Sequence, residues 1–252
     1  MLNIVVPMAG RGSRFANAGY ELPKPLIEIH GHAMIECVIK NITPNFEYRF
    51  IFLCLAEHLA KYNLENKLKN FAPNCEIVTV DRVTEGAACT VLLAEKFIDN
   101  DDSLMIANSD QYVDIDINDY LAAGTGLDGL IMTMFASDNK WSFINFDANN
   151  LVTMVREKEV ISNEATVGIY NFAHGHDYVT FAKKMIALNP RVNNEFYVAP
   201  VYNMLIEAGK KIGFYNVGAL DAGMYGLGVP DDLSKFLANP LSRKIFGGNQ
   251  NV

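Results

Sequence analysis

Apolar residues occur along the first half of this chain in short continuous runs, and such runs predict buried strands. Between the runs, other segments space their apolar residues three or four positions apart, which predicts helices. Strands that are apolar on both faces and alternate with helices are typical of a mostly parallel sheet covered by helices on both faces. The predicted strands are 2–8, 48–55, 76–80 and 103–110, and the predicted helices are 33–42, 56–70 and 86–97.

The second half of the chain predicts a more mixed set of elements. The residues "DANN" (147–150) between two apolar runs predict a hairpin turn. No internal repeat, low-complexity segment or linker interrupts the sequence, so we predict one α/β domain over residues 1–252. The predicted strands are 127–135, 141–147, 151–157, 166–173 and 211–217, and the predicted helices are 176–188, 196–209 and 230–239.

The amino-acid composition limits the partners that the protein is expected to bind and indicates its cellular compartment. The 252 residues carry a formal net charge of −8, which provides no general electrostatic footprint for nucleic acid or an anionic membrane. The four cysteines form no Cys-x-x-Cys pair, which predicts free thiols in a reducing compartment. No apolar run reaches the ~18 residues that span a membrane. We therefore expect a cytoplasmic protein that binds neither nucleic acid nor membrane.

The stretch "VPMAGRGSRF" (6–15) follows the first predicted strand, at the sheet edge where α/β proteins bind ligands. The backbone N–H groups of such a glycine-rich turn can bind phosphate oxygens. A Walker loop would end in Gly-Lys-Ser/Thr, and a dinucleotide loop would need a third glycine where Phe15 stands. The stretch therefore matches neither of these loops. Its own pattern is Gly-x-Gly-x-Arg, with Arg11 and Arg14 beside the glycines.

A second cation follows in "ELPKPL" (21–26), where Pro23 and Pro25 restrict the backbone on both sides of Lys24. This arrangement predicts a rigid arm that directs one ammonium group. The glycines alone would suit an ordinary surface turn. The strand, the glycine loop and the Pro-Lys-Pro sequence together favour a phosphate site.

The segments "MAGRGSRF", "PKPLIEI" and "AMIE" resemble the signature of the sugar-nucleotidyltransferase family, pyrophosphorylases with a GT-A-like, Rossmann-like α/β fold. The resemblance implies that the loop and Arg14 bind the triphosphate of an NTP, while Lys24 contacts the α-phosphate. It also implies a nucleotide-binding half (1–120) and an acceptor-binding half (121–252). The implied loop residues are Met8, Ala9, Gly10, Arg11, Gly12 and Ser13, of which Met8 and Ala9 depart from the family's usual pair of small residues.

The resemblance extends to "VTEGAACTV" (83–91), which implies that Glu85, Gly86 and Ala87 lie beside the nucleobase. The same segment would also suit a plain helix start capped by Thr84. Asp81 stands where many uridylyl- and thymidylyltransferases present a glutamine. A carboxylate only accepts hydrogen bonds, so Asp81 suits the amino group of cytosine and favours CTP.

Two aspartates are the implied metal ligands. Asp110 ends "IANSD", at the exit of a predicted strand, and Asp221 lies in "LDAG", which resembles the family's Asp-x-Gly turn. Two carboxylates that meet from distant parts of the chain suit Mg²⁺. Each aspartate taken alone would also suit an ordinary strand end or turn.

The acceptor residues are implied by three later segments. In "REKE" (156–159), Lys158 would bind the phosphate of the second substrate beside Glu157, although Glu159 stands where the family usually has proline. The segment "NNEFYVAPVYNML" (193–205) supplies Glu195 as a polar contact. The segment "VGIYN" supplies the remaining pocket residues, Gly168, Tyr170 and Asn171.

The Ser-Arg-Phe form of the loop resembles cytidylyltransferases that act on small phosphorylated alcohols and amines. The loop form thus favours CTP. The resemblance along the whole chain, including "ANSDQYV" and "TEGAACTVLLA", implies a phosphorylated L-glutamine as the best single expectation for the acceptor, pyrophosphate as the second product and a place in capsule polysaccharide synthesis. A sugar-1-phosphate nucleotidyltransferase using CTP or UTP stays open as an alternative. So does a GT-A glycosyltransferase, which would not need Arg14 and Lys24 for a triphosphate. An inactive regulatory subunit would not need these cations either, and a homodimer stays open as the assembly.

Overall fold

The computed structural model describes residues 1–246, so the last six residues of the predicted domain lie outside the described part. The strands are β1 (Leu2–Met8), β2 (Glu28–Ile29), β3 (His32–Ala33), β4 (Tyr48–Leu55), β5 (Glu76–Val80), β6 (Ser103–Ala107), β7 (Gln111–Val113), β8 (Gly129–Phe135), β9 (Ser142–Phe146), β10 (Val152–Glu157), β11 (Glu164–Phe172), β12 (Ile212–Leu220) and β13 (Gly223–Gly226). The helices are α1 (Ser13–Asn17), α2 (Met34–Ile42), α3 (Ala56–Tyr62), α4 (Leu64–Phe71), α5 (Ala87–Leu92), α6 (Glu95–Ile98), α7 (Ile117–Ala123), α8 (Gly175–Leu188), α9 (Val201–Glu207), α10 (Pro230–Ala238) and α11 (Pro240–Lys244), with a 3-10 turn at Lys24–Leu26.

Within residues 1–246, eleven strands form one mixed sheet whose main path is β5-β4-β1-β6-β11-β8-β12-β13-β7. Strands β5, β4, β1 and β6 are parallel, so their carboxyl ends lie at one edge of the sheet. Strand β11 runs antiparallel between β6 and β8 and joins the two halves of the chain. This arrangement confirms the predicted α/β class and the mostly parallel, single-domain sheet.

Helices cover both faces of the sheet, as predicted, and each face has its own apolar core. The alternation along β1 shows the division, because Ile4 and Val6 pack into one core and Val5 into the other. The first core lies beneath α2 and α4, and the second lies beneath α5, α8 and α9. The parallel strands are buried on both faces and therefore read as continuous apolar runs.

A third apolar cluster connects the glycine loop to the end of the chain. Phe15, on α1, is 1% exposed and belongs to one cluster with Tyr225 and Leu227 at β13 and with Leu233 and Phe236 on α10. The residue that excludes a dinucleotide loop is therefore an anchor. It holds the glycine loop against the C-terminal quarter of the fold.

Several predicted elements differ from the structure in extent, among them the predicted strand 103–110, which ends at Ala107. The predicted helix 56–70 divides at Asn63, whose φ of 52° is left-handed. The predicted helix 86–97 divides into α5 and α6. The predicted helix 196–209 begins only at Val201, after Pro200 at its N-cap, because proline favours the start of a helix over its interior.

Across residues 1–246, every helix is too short or too polar to cross a membrane.

Candidate active site

The glycine loop, Lys24 and Asp110 meet at the carboxyl edge of the parallel strands. The Lys24 Nζ donates to Asp110 Oδ2 at 2.8 Å, and both side chains are about one quarter exposed. Gly12 adopts a left-handed φ of 62°, and a Cβ at this position would lie 3.4 Å from the Lys24 Cβ. Gly228 lies against the Asp110 carboxylate, and a Cβ at this position would be only 2.5 Å from Asp110 Oδ2. We call these four residues the Lys24 cluster.

The predicted loop residues divide into buried and exposed positions. The side chains of Met8 and Ala9 are buried, so these residues offer only backbone atoms to a ligand. Arg11 and Arg14 are exposed and belong to no ion pair found within residues 1–246. Gly10 and Ser13 are exposed as well. The open side of the loop therefore presents two unengaged guanidinium groups beside the Lys24 cluster.

The predicted base-binding segment is tied to the predicted acceptor segment by backbone hydrogen bonds. The Phe196 N–H donates to the Glu85 carbonyl at 2.8 Å, and the Ala88 N–H donates to the Phe196 carbonyl at 3.0 Å. Gly86, at φ 126°, permits this approach, because a Cβ there would lie 2.4 Å from the Phe196 carbonyl oxygen. Gly86 thus fits a close backbone contact that no other residue could make.

The remaining residues of the predicted base site stay near the surface. Asp81 follows the last residue of β5 and is exposed. Glu85 forms an ion pair with Arg191 at 2.9 Å, which adds a side-chain tie between the two segments. Ala87 packs, half-buried, against the second core.

The predicted acceptor residues Lys158 and Glu195 lie beside Tyr197, and Glu157 lies beside both of them. The Lys158 Nζ donates to the Tyr197 hydroxyl at 3.0 Å and lies 5.1 Å from the centre of its ring. Burial raises the pKa of Tyr197, and the nearby Glu195 carboxylate raises it as well. The hydrogen bond that Lys158 donates to Tyr197 raises the pKa of Lys158 and keeps its ammonium charged. We call these residues, with Ser142, the Lys158 cluster.

Glu157 occupies the inner side of the Lys158 cluster. Its carboxylate accepts a hydrogen bond from the Ser142 hydroxyl. Burial raises the pKa of Glu157, while the Ser142 hydroxyl and the Lys158 charge only partly offset that effect. A raised pKa in the folded state favours stability below the unfolded value of 4.5, and that stability is lost as the pH rises through the folded pKa.

We predict that Glu157→Gln stabilises the protein near pH 7.5 and changes its stability little near pH 4. At the lower pH both folded and unfolded chains hold the proton, so an amide replaces a neutral acid of the same shape. Thermal melts of both proteins at the two pH values measure the difference. Glu159→Gln, at a side chain that is 66% exposed, is the control for the same chemical change on the surface. An equal effect of Glu157→Gln at both pH values would contradict the prediction.

Gly168 and Tyr170 lie beside this region on β11. Gly168, at φ 86°, forms an irregularity in the pairing with β8, and its carbonyl accepts from the Asn108 N–H at 2.9 Å. The Tyr170 ring is buried, and its hydroxyl pairs with Thr166 Oγ1 at 2.9 Å, four residues closer to the binding edge. The Tyr170 hydroxyl is thus directed toward Ser142 and Glu157.

Asn171, by contrast, does not reach the acceptor region. It pairs with Met105, in the middle of β6, and lines a cavity of about 480 Å³ together with Met1 and Ser103. Those residues mark the amino ends of β1 and β6, so this cavity opens at the opposite edge of the sheet. The structure therefore does not bring Asn171 together with the other predicted acceptor residues.

Asp221 does not meet Asp110 either. Asp221 lies in the turn before β13, whereas the Asp110 carbonyl accepts from the Leu227 N–H at 2.8 Å, beyond the other end of that strand. The three residue steps of β13 alone separate its ends by about 10 Å. Asp110 is at the binding edge and Asp221 is an exposed turn residue at φ 62°, so the structure does not bring the two predicted metal ligands together.

A different carboxylate reaches the binding edge from α10. The Asp232 Oδ2 would lie 3.3 Å from a Cβ on Gly226, the residue that pairs with Gln111 next to Asp110. Glycine at 226 and 228 leaves room beside both carboxylates. Carboxylate oxygens are the donors that Mg²⁺ prefers, so the residues present fit a hard cation at Asp110, with Asp232 as the second acidic group.

Sequence reasoning missed Ser142, Tyr197, Gly228 and Asp232. The sequence pattern could have indicated Tyr197, since this residue stands two positions after Glu195, with the apolar Phe196 between them. In an extended segment this spacing puts residues 195 and 197 on the same side. Gly228 and Asp232 had no such signal, because their roles depend on how β13 and α10 return to the first strand.

The chain is similar to several known proteins. The bifunctional protein GlmU of Methanococcus maripaludis is 24% identical over 261 residues, which cover 99% of this chain and 58% of that protein. The structure of a nucleoside-diphosphate-sugar pyrophosphorylase from Vibrio cholerae RC9 aligns with a TM-score of 0.75 at 27% identity, over 94% of this chain and all of that one. The inositol-1-phosphate CTP transferase of T. maritima aligns with a TM-score of 0.75 at 17% identity, over 98% and 96% of the two chains.

The fold and these similarities point to one protein family. The family model described as nucleotidyl transferase matches residues 4–216, and the chain belongs to that family. The chain spans between 40% and 58% of the length of the curated relatives it matches.

Proposed function

We propose that this protein transfers a nucleotidyl group from an NTP to a phosphorylated small molecule and releases pyrophosphate. The observation that carries the proposal is the Lys24 cluster, in which a lysine and an aspartate meet at 2.8 Å beneath a glycine loop. On the same sheet, a second cation, Lys158, stands among polar groups that suit an acceptor. A triphosphate site beside an acceptor site is what nucleotidyl transfer requires.

The proposed reaction is an in-line displacement. A phosphate oxygen of the acceptor attacks the α-phosphorus of the NTP, a new P–O–P bond forms, and the bond to the pyrophosphate leaving group breaks. The attacking phosphate is already an anion near neutral pH, so no general base is needed. Catalysis then consists of positioning and of charge stabilisation.

Each cation has a separate task in this proposal. Arg14, with Arg11 and the backbone of residues 8–13, binds the β- and γ-phosphates. Lys24 stabilises the charge that builds on the α-phosphate, and Lys158 orients the incoming phosphate. Mg²⁺, when bound at Asp110 with Asp232 nearby, supplies further neutralisation of the phosphate charge.

The choice of CTP rests on Asp81 and the segment that follows it. The exposed carboxylate of Asp81 accepts hydrogen bonds and suits the cytosine amino group, with Glu85, Gly86 and Ala87 beside the base. The fold similarity to a CTP transferase is compatible with this choice.

We predict that Asp81→Gln shifts the enzyme from CTP toward UTP, because an amide can also donate a hydrogen bond. The measurement is the ratio of kcat/KM for CTP to that for UTP, for which a change of about tenfold would correspond to one good hydrogen bond. Asp99→Gln, at an exposed turn after α6, is the control. An unchanged ratio would remove Asp81 from the base site.

The acceptor we propose carries a phosphate and an amine, with phosphorylated L-glutamine as the specific candidate. Lys158 supplies one positive charge, while Glu157 and Glu195 supply carboxylates on either side of it. A phosphorylated sugar whose only charged group is its phosphate would leave the exposed carboxylate of Glu195 without a charged partner. Gly168 and Tyr170 form the inner wall of this site.

A sugar-1-phosphate nucleotidyltransferase is the second candidate. It is favoured by the 27% identity to a nucleoside-diphosphate-sugar pyrophosphorylase over all of that chain. In that case the hydroxyl groups of a sugar would take the place of the amine, and Glu195 would accept hydrogen bonds from them.

One assay separates these candidates. The protein is incubated with each of CTP, UTP, dTTP, ATP and GTP, Mg²⁺ and a panel of phosphorylated amino acids, amino alcohols and sugars, and pyrophosphate release is measured. Release that depends on both an NTP and a phosphorylated acceptor supports the proposal. Consumption of a nucleotide sugar without pyrophosphate release would indicate a glycosyltransferase instead.

We also place the reaction in the cytoplasm, where NTPs are available, and keep a homodimer as a prediction. The four cysteines are free thiols, three of them buried, which suits a reducing compartment.

A further inference from the structure

Lys158 is held in a conformation that its own backbone disfavours. Its φ is 57°, in the left-handed region, where a residue with a side chain carries a cost unless its surroundings enforce it. The enforcing contacts are the Lys158 N–H, which donates to the Trp141 carbonyl at 3.0 Å, and the bond from its Nζ to Tyr197. Backbone and side chain are thus both fixed, so the ammonium has a defined place.

Tyr197 is held in turn by the residue that precedes it. Phe196 is 1% exposed and bonded through its backbone to Glu85 and Ala88, which fixes the segment from 195 to 197 against the nucleotide-binding half. Glu195 and Tyr197 flank this anchor and lie on the opposite side from the Phe196 ring. One anchored residue therefore sets the positions of both polar neighbours.

The bond from Lys158 to Tyr197 has a chemical consequence. The charges of Glu157 and Glu195 are close enough to raise the pKa of Lys158. The Lys158 ammonium nevertheless donates a hydrogen bond to the neutral phenol of Tyr197. A direct ion pair between Lys158 and a carboxylate would neutralise both groups and hide them from a substrate. A neutral partner leaves the positive and the negative charge available at a fixed separation.

We propose that Tyr197 is a positioning and specificity-determining residue that keeps the Lys158 ammonium apart from the Glu195 carboxylate. The separated charges select an acceptor that carries a phosphate and an amine on one small molecule. This inference rests on the proposed function of the site, and it adds the residue that sets the choice of acceptor. Without the Tyr197 hydroxyl, Lys158 turns to a carboxylate and the preference for the amine is lost.

The test compares Tyr197→Phe, which keeps the ring beneath Lys158 and removes only the hydroxyl, with the unmodified protein. The probes are O-phosphoethanolamine and ethyl phosphate, which have the same carbon chain and differ in the amine. Their affinities are measured by calorimetric titration without nucleotide, and their kcat/KM values by pyrophosphate release. Tyr48→Phe, at a tyrosine that is 37% exposed on β4, is the matched control.

We expect the unmodified protein and Tyr48→Phe to bind phosphoethanolamine more tightly than ethyl phosphate. In Tyr197→Phe the affinity for phosphoethanolamine should fall by about 10- to 100-fold, as for the loss of a hydrogen bond to a charged group. The affinity for ethyl phosphate should change less, and the KM for the NTP should stay within about twofold. A role limited to folding would instead weaken both probes and the NTP together.

Two results would overturn the inference: equal affinities of the unmodified protein for the two probes, or an unchanged preference in Tyr197→Phe. Failure of the proposed function would look different. No pyrophosphate would then be released from any pairing of NTP and acceptor, while the titrations would still decide the role of Tyr197.

Discussion

Lys24→Ala should reduce kcat by about 10²–10³ and leave the protein folded, as is typical when one preorganised charge is removed from a transition state. The Lys24 Nζ lies 2.8 Å from Asp110 Oδ2, and the Lys24 side chain is only 25% exposed. In the described chain, Lys24 is the cation that pairs with Asp110. Its loss leaves the charge on the α-phosphate without its nearest counter-charge. The measurement is the rate of pyrophosphate release at saturating NTP and acceptor.

The stability of Lys24→Ala should change little, because the Asp110 side chain is 24% exposed and can be hydrated. Lys69→Ala is the matched control, since it removes a lysine that pairs with Glu65 at 2.6 Å on the surface of α4. That variant should keep full activity. Near-normal turnover in folded Lys24→Ala would remove the lysine from the reaction.

Gly86→Ala should raise the KM for the acceptor and destabilise the fold, although Gly86 lies in the segment assigned to the nucleotide. The added methyl group would lie 2.4 Å from the Phe196 carbonyl oxygen and 2.6 Å from the Phe196 nitrogen, and both of these atoms belong to the backbone. The segment from Glu195 to Tyr197 must therefore shift. A displacement of about 1 Å in a positioning element can cost about 10²-fold in rate.

The stability cost of Gly86→Ala combines this clash with the strain at φ 126°, which together are worth at least about 1–3 kcal/mol. In a chain of this size each ~1 kcal/mol lowers Tm by about 2–4 °C. Gly209→Ala separates the two causes, because Gly209 also has a positive φ, 79°, but faces open space. Similar kinetics in Gly86→Ala and Gly209→Ala would show that the contact with Phe196 does not position the acceptor residues.

The sequence carried enough information for the strands and for most of the Lys24 cluster. Continuous apolar runs identify strands that are buried on both faces, and β1, β4 and β5 begin and end where those runs do. Gly12 and Lys24 are close in the chain, and Asp110 lies three residues beyond the end of β6, a strand of the same parallel set, so local patterns suffice to bring them together. In these features, residues that lie close in space are either close in the chain or at the same end of neighbouring parallel strands.

The misplaced residues depend on contacts that no local pattern encodes. Asp221 matches an Asp-x-Gly motif, but its position relative to Asp110 is set by the antiparallel pairing of β13 with β7, in which Gly226 lies opposite Gln111. Asn171 is on the same strand as Gly168 and Tyr170, but the pairing of β11 with β6 puts it opposite Met105, two residues before the end of β6. In both cases, strand pairing between distant segments determines the outcome.

The anchoring of Phe15 has a consequence for the order in which the protein becomes competent during its synthesis. The glycine loop is synthesised well before its apolar support, which comes from Tyr225, Leu227, Leu233 and Phe236. A nascent chain that lacks β13 and α10 therefore has the sequence of the loop without the surface that shapes it. If the loop binds a triphosphate as we propose, that affinity should appear only after β13 and α10 have been made and have packed against Phe15.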